Sequence, residues 1–212
     1  MFDQIKTVLV LAPHPDDAEF GMGATLAKLI ELGKEVHIAV FSTCEQSTPE
    51  GFAPGSIMRE LRVSCGLLGV SAERLRTFDF SVRKFPELRQ EILEELIVLK
   101  REIQPDLVCV PSSTDVHQDH QTIHAEGLRA FKDVSVLGYE LPWNNFEYPT
   151  DVFVNLEERH LARKLECLAS YETQKGRGYC DPEFVRAMAR FRGGQVKKQH
   201  AEAFELLRFY HH

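Results

Sequence analysis

Two short clusters carry most of the chemistry this chain can perform. Ala12-Pro13-His14-Pro15-Asp16-Asp17-Ala18-Glu19 follows the apolar run Val8-Leu9-Val10-Leu11, and His117-Gln118-Asp119-His120 follows a second apolar run at 106–110. Together they offer more imidazoles and carboxylates than one metal ion needs. His14 and Asp17 stand three residues apart in a loop entering a helix, and His120 opens a later helix, so these three can complete a ligand set. Two histidines and one carboxylate leave a fourth position for water, the pattern of a catalytic zinc; iron, cobalt and other divalent transition metals also suit such donors. Pro13 and Pro15 bracket His14 and restrict its backbone. Asp16 is then placed as general base for a water, His117 as an oxyanion stabiliser if protonated, and Asp119 as the carboxylate that orients that imidazole. Glu19 reads as a support that accepts backbone hydrogen bonds at the helix start. His124, a turn beyond His120, reads as a helix-face residue and not a fourth ligand.

Alternating strand and helix patterns must position these groups. Strands are predicted at 7–11, 35–41, 75–80, 106–110, 135–139 and 151–156, each a short apolar run. Between them lie a helix at 23–32 stopped by Gly33, one marked by Met58, Leu61, Cys65 and Leu68 and closed by Gly69, and one with Leu88, Ile92, Leu96, Leu99 and Ile103 on a single face before Pro105. A helix carrying Ile123, Leu128 and Phe131 and another carrying Leu161, Leu165 and Leu168 follow, then a mixed helical tail to about Phe209. This alternation predicts an α/β fold with a mostly parallel sheet and helices on both faces, in one domain over 1–212. Ligands in such sheets sit beyond the carboxyl ends of strands where strand order reverses, and both clusters fall at carboxyl ends. The polar stretch 42–55 and the segment Trp143, Asn144, Asn145, Tyr148 are expected to flank the metal and shape a substrate pocket.

Composition narrows the partners. A net charge of −7 with no long basic run argues against nucleic acid, and hydrophobic residues at 43% with charged residues at 27% are ordinary for a globular domain. No stretch is long enough to span a bilayer, and the start of the chain lacks the pattern of a signal peptide. Five scattered cysteines without a C-x-x-C pair favour a reducing cytoplasm over a disulfide framework. His211 and His212 are set aside as either a tag or the native end. A homo-oligomer is compatible with all of this. Gly21-x-Gly23 hints at a nucleotide-binding turn, but the third glycine is missing and His-Pro-Asp-Asp occupies the turn after the first strand.

The paired motifs resemble the LmbE-like/PIG-L family of zinc-dependent N-deacetylases. The likeness extends to Gly21-Met22-Gly23-Ala24-Thr25-Leu26, to Glu60-Leu61 through Leu68-Gly69-Val70, to Pro105-Asp106-Leu107-Val108 and to Ala201-Glu202-Ala203-Phe204. It implies a Rossmann-like fold and hydrolysis of the acetamide of an amino sugar, free or as a glycoconjugate. By motif position it implies His14, Asp17 and His120 as ligands of Zn²⁺, Asp16 as base, His117 as oxyanion stabiliser and Asp119 as its partner. Substrate contacts are expected from Arg59, Arg89, Trp143, Asn144 and His200. At two of these the chain departs from the family: Ile57 occupies a position often held by arginine, leaving Arg59 nearest, and His200 occupies one often held by tyrosine. Two other activities fit the same residues: an amidase acting on a sugar-linked thiol conjugate, and a metal- or sugar-binding module without catalysis.

Overall fold

The computed structural model describes residues 4–210; residues 1–3 and the two terminal histidines lie outside the described part. A seven-stranded sheet forms the middle layer, in the order β3-β2-β1-β4-β5-β7-β6. Strands β1 (Thr7–Ala12), β2 (Glu35–Val40), β3 (Leu75–Thr77), β4 (Leu107–Pro111) and β5 (Ser135–Tyr139) run parallel. β7 (His200–Arg208) is antiparallel to both β5 and β6 (Val152–Leu156). The chain steps outward from β1 to β2 and β3, then returns to lay β4 on the other side of β1. Strand order therefore reverses between β1 and β4, whose carboxyl ends deliver the two motif clusters.

Alternation along β1 divides the interior. Val8 and Val10 face a core with α1 (Asp17–Glu31), α2 (Ser56–Leu68), α5 (Glu158–Ala169) and α6 (Pro182–Gln195). Leu9 and Leu11 face the opposite core with α3 (Arg89–Ile103) and α4 (Gln118–Ala130). All four side chains are fully buried, which is why the central strand reads as a continuous apolar run and not an alternating one.

The sequence departs from expectation in three places. The segment 200–208 is not a helical tail but the nine-residue strand β7. Its Ala, Glu and Leu residues favour helix, yet the slot between β5 and β6 supplies ladder partners on both edges, and tertiary context overrides propensity. β3 stops at Thr77 and not Phe80, although the Phe78 and Phe80 amides still donate to Val40 and Phe41 carbonyls at 2.8 and 3.0 Å. The first helix begins at Asp17, six residues before the expected Gly23, and the reason is a kink at Met22 (φ −151°, ψ 22°).

That kink exposes backbone groups in the interior, and one buried ion pair satisfies them. Lys164 Nζ donates to the Phe20 carbonyl at 2.6 Å and to Glu202 at 2.7 Å. Glu202 in turn accepts the Ala24 and Thr25 amides at 3.3 and 2.7 Å, acting as a cap for the second half of α1. Gly21, beside the kink, has no room for a side chain, because a Cβ would come within 2.4 Å of the Tyr139 ring. The kink thus lets the helix that starts at the His-Asp loop pass close to β5. Replacing Lys164 by Met keeps the aliphatic stem but leaves Phe20 O and the Glu202 carboxylate without their cation. The expected cost is about 3 kcal/mol, a fall in Tm of roughly 6–12 °C by thermal unfolding.

Candidate active site

His14 leaves β1 in the loop 13–16, and Asp16, at the N-cap position of α1, adopts φ 124°, ψ −20°. For a non-glycine residue this conformation costs on the order of 1–3 kcal/mol, and such strain is concentrated at functional sites. It places Asp16 and Asp17 on diverging paths. Asp17 is buried, and its Oδ2 accepts the His14 amide at 2.8 Å. The Asp16 carboxylate lines the adjacent pocket, and among the described residues no side chain or amide hydrogen-bonds to it.

Three atoms converge on one point. His14 Nδ1 and His120 Nε2 are 3.1 Å apart, and Asp17 Oδ2 is 3.4 Å from each. A tetrahedral ion with bonds of about 2.0–2.1 Å would sit among ligand atoms roughly 3.3–3.4 Å apart. The outer nitrogen of each imidazole is engaged by a carboxylate: His14 Nε2 donates to Asp119 Oδ2 at 3.0 Å, and His120 Nδ1 to Asp115 Oδ2 at 2.8 Å. Each ring therefore turns a lone pair inward, the arrangement of imidazole–metal ligation backed by a carboxylate. Two lone pairs and a carboxylate oxygen aimed at one point repel one another unless a cation lies between them, so the donor set fits a divalent metal.

His117 also brings a ring nitrogen within 4.8 Å of those of His14 and His120. Its tautomer separates it from the ligands. His117 is the N-cap of α4, and its Nδ1 accepts the Asp119 amide at 3.2 Å. The proton of the neutral ring then sits on Nε2, which makes that nitrogen a donor and not a ligand.

Electrostatics follow from the same contacts. Burial works against a charge on His14, but hydrogen bonds to Asp119 and Asp17 outweigh it and raise its pKa to about 9, so in the metal-free site a proton occupies the inward position that a metal would take over. Burial would raise Asp17 as well; His120 and His14 prevail and hold its carboxyl below the usual range. Asp16 goes the other way: burial, then the charges of Asp17 and Glu19, push its pKa well up. Burial, with His120 and His14 nearby, lowers His117 to about 4, so at neutral pH it is an uncharged ring with one N–H to donate.

The expected roles of the supporting carboxylates also shift. Asp119 orients His14 instead of His117, and its oxygens accept the Arg83 and Phe85 amides at 2.6 and 3.3 Å, tying the turn before α3 to the site. Asp115, which sequence reasoning missed, aligns His120 and accepts the His117 amide at 2.9 Å. It is fully buried. Asp115→Asn should weaken metal affinity about 10–100-fold, measured by competition with a chromogenic chelator. Apart from its own amide, Glu19 is held by side-chain hydroxyls and not by the other described amides of the helix start. Its Oε1 accepts from Ser64 Oγ at 2.5 Å and Tyr171 OH at 2.9 Å, fastening α1 to α2 and to the turn after α5. His124 bonds the Pro111 carbonyl at 2.8 Å, on the helix face as expected.

These groups line a pocket of about 300 Å³. Trp143 and Asn144 reach it, as do Cys44 and Ser47 from the 42–55 stretch. Trp143 is partly covered: Tyr179 stacks on it with centroids 4.0 Å apart, and Phe20 meets it edge-on at 5.1 Å. Asn145 and Tyr148 turn away, tying Leu141, Ser112 and Thr114 in one case and the Gly138 and Ala203 carbonyls in the other. Three expected substrate contacts lie elsewhere. Arg59 bonds Pro54 O and Ser56 Oγ on α2, Arg89 pairs with the buried Glu126 at 2.5 Å, and His200 is buried at the start of β7 near Glu158. Ile57, noted from sequence for standing where relatives often carry arginine, lines the pocket, and so do Arg83, Gln174, Arg177 and Tyr179, which sequence reasoning did not single out. The last three come from the connection between α5 and α6, whose approach to β1 no local pattern announces.

A mostly parallel sheet with a His/Asp cluster at its switch point defines a Rossmann-like α/β protein whose site gathers the donors for one metal ion. The family model described as PIG-L, GlcNAc-PI de-N-acetylase, matches residues 9–131, more than half of the chain, and the chain belongs to that family. Diacetylchitobiose deacetylase of Thermococcus kodakarensis is 26% identical over 185 residues, covering 85% of this chain and 65% of that protein. The chain thus spans just under two thirds of that relative's length. An uncharacterized deacetylase of Escherichia coli K12, YaiS, is 28% identical over 175 residues, covering 79% and 91% of the two chains. Among solved structures, an inhibitor complex of N,N'-diacetylchitobiose deacetylase from Pyrococcus horikoshii superposes with a TM-score of 0.82 at 22% identity. It covers 97% of this chain and 85% of that one, and it shows the shared fold. Among the described residues, no helix is long and apolar enough to cross a membrane.

Proposed function

We propose that the protein is a zinc-dependent N-deacetylase that hydrolyses the acetamide of an N-acetylated amino sugar or its conjugate. The observation that carries this reading is the division of labour around one pocket: three inward donors for a metal, one carboxylate without a hydrogen bond among the described residues, and one neutral imidazole donor. His14, Asp17 and His120 would hold the ion. When bound, zinc supplies Lewis acidity and brings the pKa of a bound water to about 7. Family membership and the deacetylase names of two relatives support the amide as the bond broken.

The chain's own residues divide the remaining work. Asp16 removes a proton from the water that attacks the acetyl carbonyl, and its freedom from hydrogen bonds leaves the carboxylate oxygens available. His117 Nε2–H donates to the acyl oxygen as that atom gains negative charge. Its Nδ1 is held by the Asp119 amide, so the ring cannot rotate away without uncapping α4. The C–N bond then breaks, and the leaving nitrogen must take up a proton to depart as a free amine. Asp16, which has just taken a proton from the water, is the donor that leaves the His117 N–H on the acyl oxygen throughout. The products are acetate and the amino sugar. Five unpaired cysteines suit a reducing compartment such as the cytoplasm.

A panel of N-acetylated sugars, free, nucleotide-linked and lipid-linked, incubated with zinc and assayed for both acetate and primary amine tests this reading. Stoichiometric release of the two supports deacetylation. Release of a cysteine derivative from a sugar-linked thiol conjugate, with no acetate from any sugar, would establish the amidase instead.

A further inference from the structure

Two arginines stand at the rim of the same pocket. Arg83 comes from the turn between β3 and α3, and Arg177 from the connection between α5 and α6. Both are exposed, whereas Asp17 and His120 below them are buried, so the cations lie outward of the metal cluster. Among the described residues neither guanidinium has a carboxylate within ion-pair distance, while Arg89, Arg129, Arg159, Arg186 and Arg192 all do. Arg59, Arg62 and Arg208 likewise bond only carbonyl or hydroxyl oxygens, so what sets Arg83 and Arg177 apart is that both line one opening.

The Arg83 backbone and the Arg177 side chain are each held in place. The Arg83 backbone takes φ 67°, a left-handed conformation costly for an arginine, and its amide is anchored to Asp119 Oδ2 at 2.6 Å. The same oxygen accepts from His14 Nε2, so the arginine is set in register with the cluster. Arg177 donates to Tyr179 OH at 2.5 Å, and its guanidinium lies 5.9 Å from the centroid of that ring. Between them the wall is supplied by neutral side chains, Ile57, Val82, Trp143 and Tyr179. Asp16 and Asp17 at the floor repel an anion, whereas two planar guanidiniums at the rim present forked donors matched to phosphate or carboxylate oxygens.

We propose that the pocket selects amino-sugar substrates bearing an additional anionic group, phosphate or carboxylate, held by Arg83 and Arg177 while the acetamide reaches the metal cluster. This rests on the deacetylase reading for the position of the acetamide but not for the presence of the anion site.

The test compares kcat/KM for N-acetylglucosamine, N-acetylglucosamine 1-phosphate and N-acetylmuramic acid, in the parent and in R83Q/R177Q and R83K/R177K. In parallel, calorimetry compares binding of glucosamine with glucosamine 1-phosphate, which requires no turnover. The parent should prefer an anionic sugar by on the order of tenfold per arginine engaged, with the preference weakening as salt is added. The ratio of anionic to neutral substrate should fall to within about twofold of unity in R83Q/R177Q and be largely restored in R83K/R177K. Whether the phosphate or the carboxylate arm shows the preference identifies the source of the anion. Equal kcat/KM for all three sugars in the parent, or a preference that survives in R83Q/R177Q with its fold intact by circular dichroism, would overturn the proposal. If no sugar yields acetate, the deacetylase reading fails and calorimetry decides: tighter glucosamine 1-phosphate binding lost in R83Q/R177Q upholds the anion site, and equal binding by parent and variant rejects it.

Discussion

Asp16→Asn should lower kcat by about 10²–10⁴ while zinc stoichiometry stays near that of the parent protein. The change preserves size and polarity, but an amide cannot take the proton from water. The structure makes the site tolerant of the swap, because the Asp16 carboxylate makes no hydrogen bond among the described residues and contributes no atom to the triangle formed by His14, Asp17 and His120. Asp17→Ala provides the contrast. It removes both an inward oxygen and the acceptor that fixes the His14 amide, so metal content and activity should fall together. Measuring zinc per chain beside the single-turnover rate distinguishes the adjacent aspartates. Loss of metal in Asp16→Asn and retention in Asp17→Ala would reverse the assignment.

His117→Ala is expected to cost about 10²–10³ in kcat, the usual worth of one donor to a developing oxyanion, with metal retained. The substitution also uncaps α4, leaving the Asp119 amide without its acceptor, at about 1 kcal/mol of stability. A thermal melt therefore accompanies the kinetics. A rate loss far larger than the change in stability accounts for marks a role in the reaction, and metal loss in His117→Ala would move His117 into the ligand set.

Much of the layout that brings these residues together was legible in the sequence. The buried runs at β1 and β4 are short and β-branched, the motif histidines follow their ends after one and five intervening residues, and alternation of strand and helix predicts that such motifs lie at carboxyl ends. What stayed hidden depends on contacts between distant segments. Asp115 sits in Ser112-Ser113-Thr114-Asp115, a run that reads as an ordinary polar turn until His120 folds back over it. Asp119 is adjacent in sequence to His120 and near His117, so proximity suggested His117 as its partner. The sheet instead brings His14 from β1 within 3.0 Å. Arg89 offered the opposite error: an arginine on an amphipathic helix was a candidate for substrate, but it neutralises the buried Glu126. β7 was unreadable for a different reason, since its residue types favour helix and only the gap between β5 and β6 makes it a strand.

The most direct test of a one-metal hydrolytic site is a zinc titration of chelator-stripped protein against an N-acetylated sugar substrate that the parent turns over, reading acetate in a single turnover. The account predicts no acetate before zinc is added, a linear rise, and a break at about one equivalent per chain, as three protein ligands and one open position require. Full acetate release from metal-free protein, or activity that grows without a break near one equivalent, would contradict it.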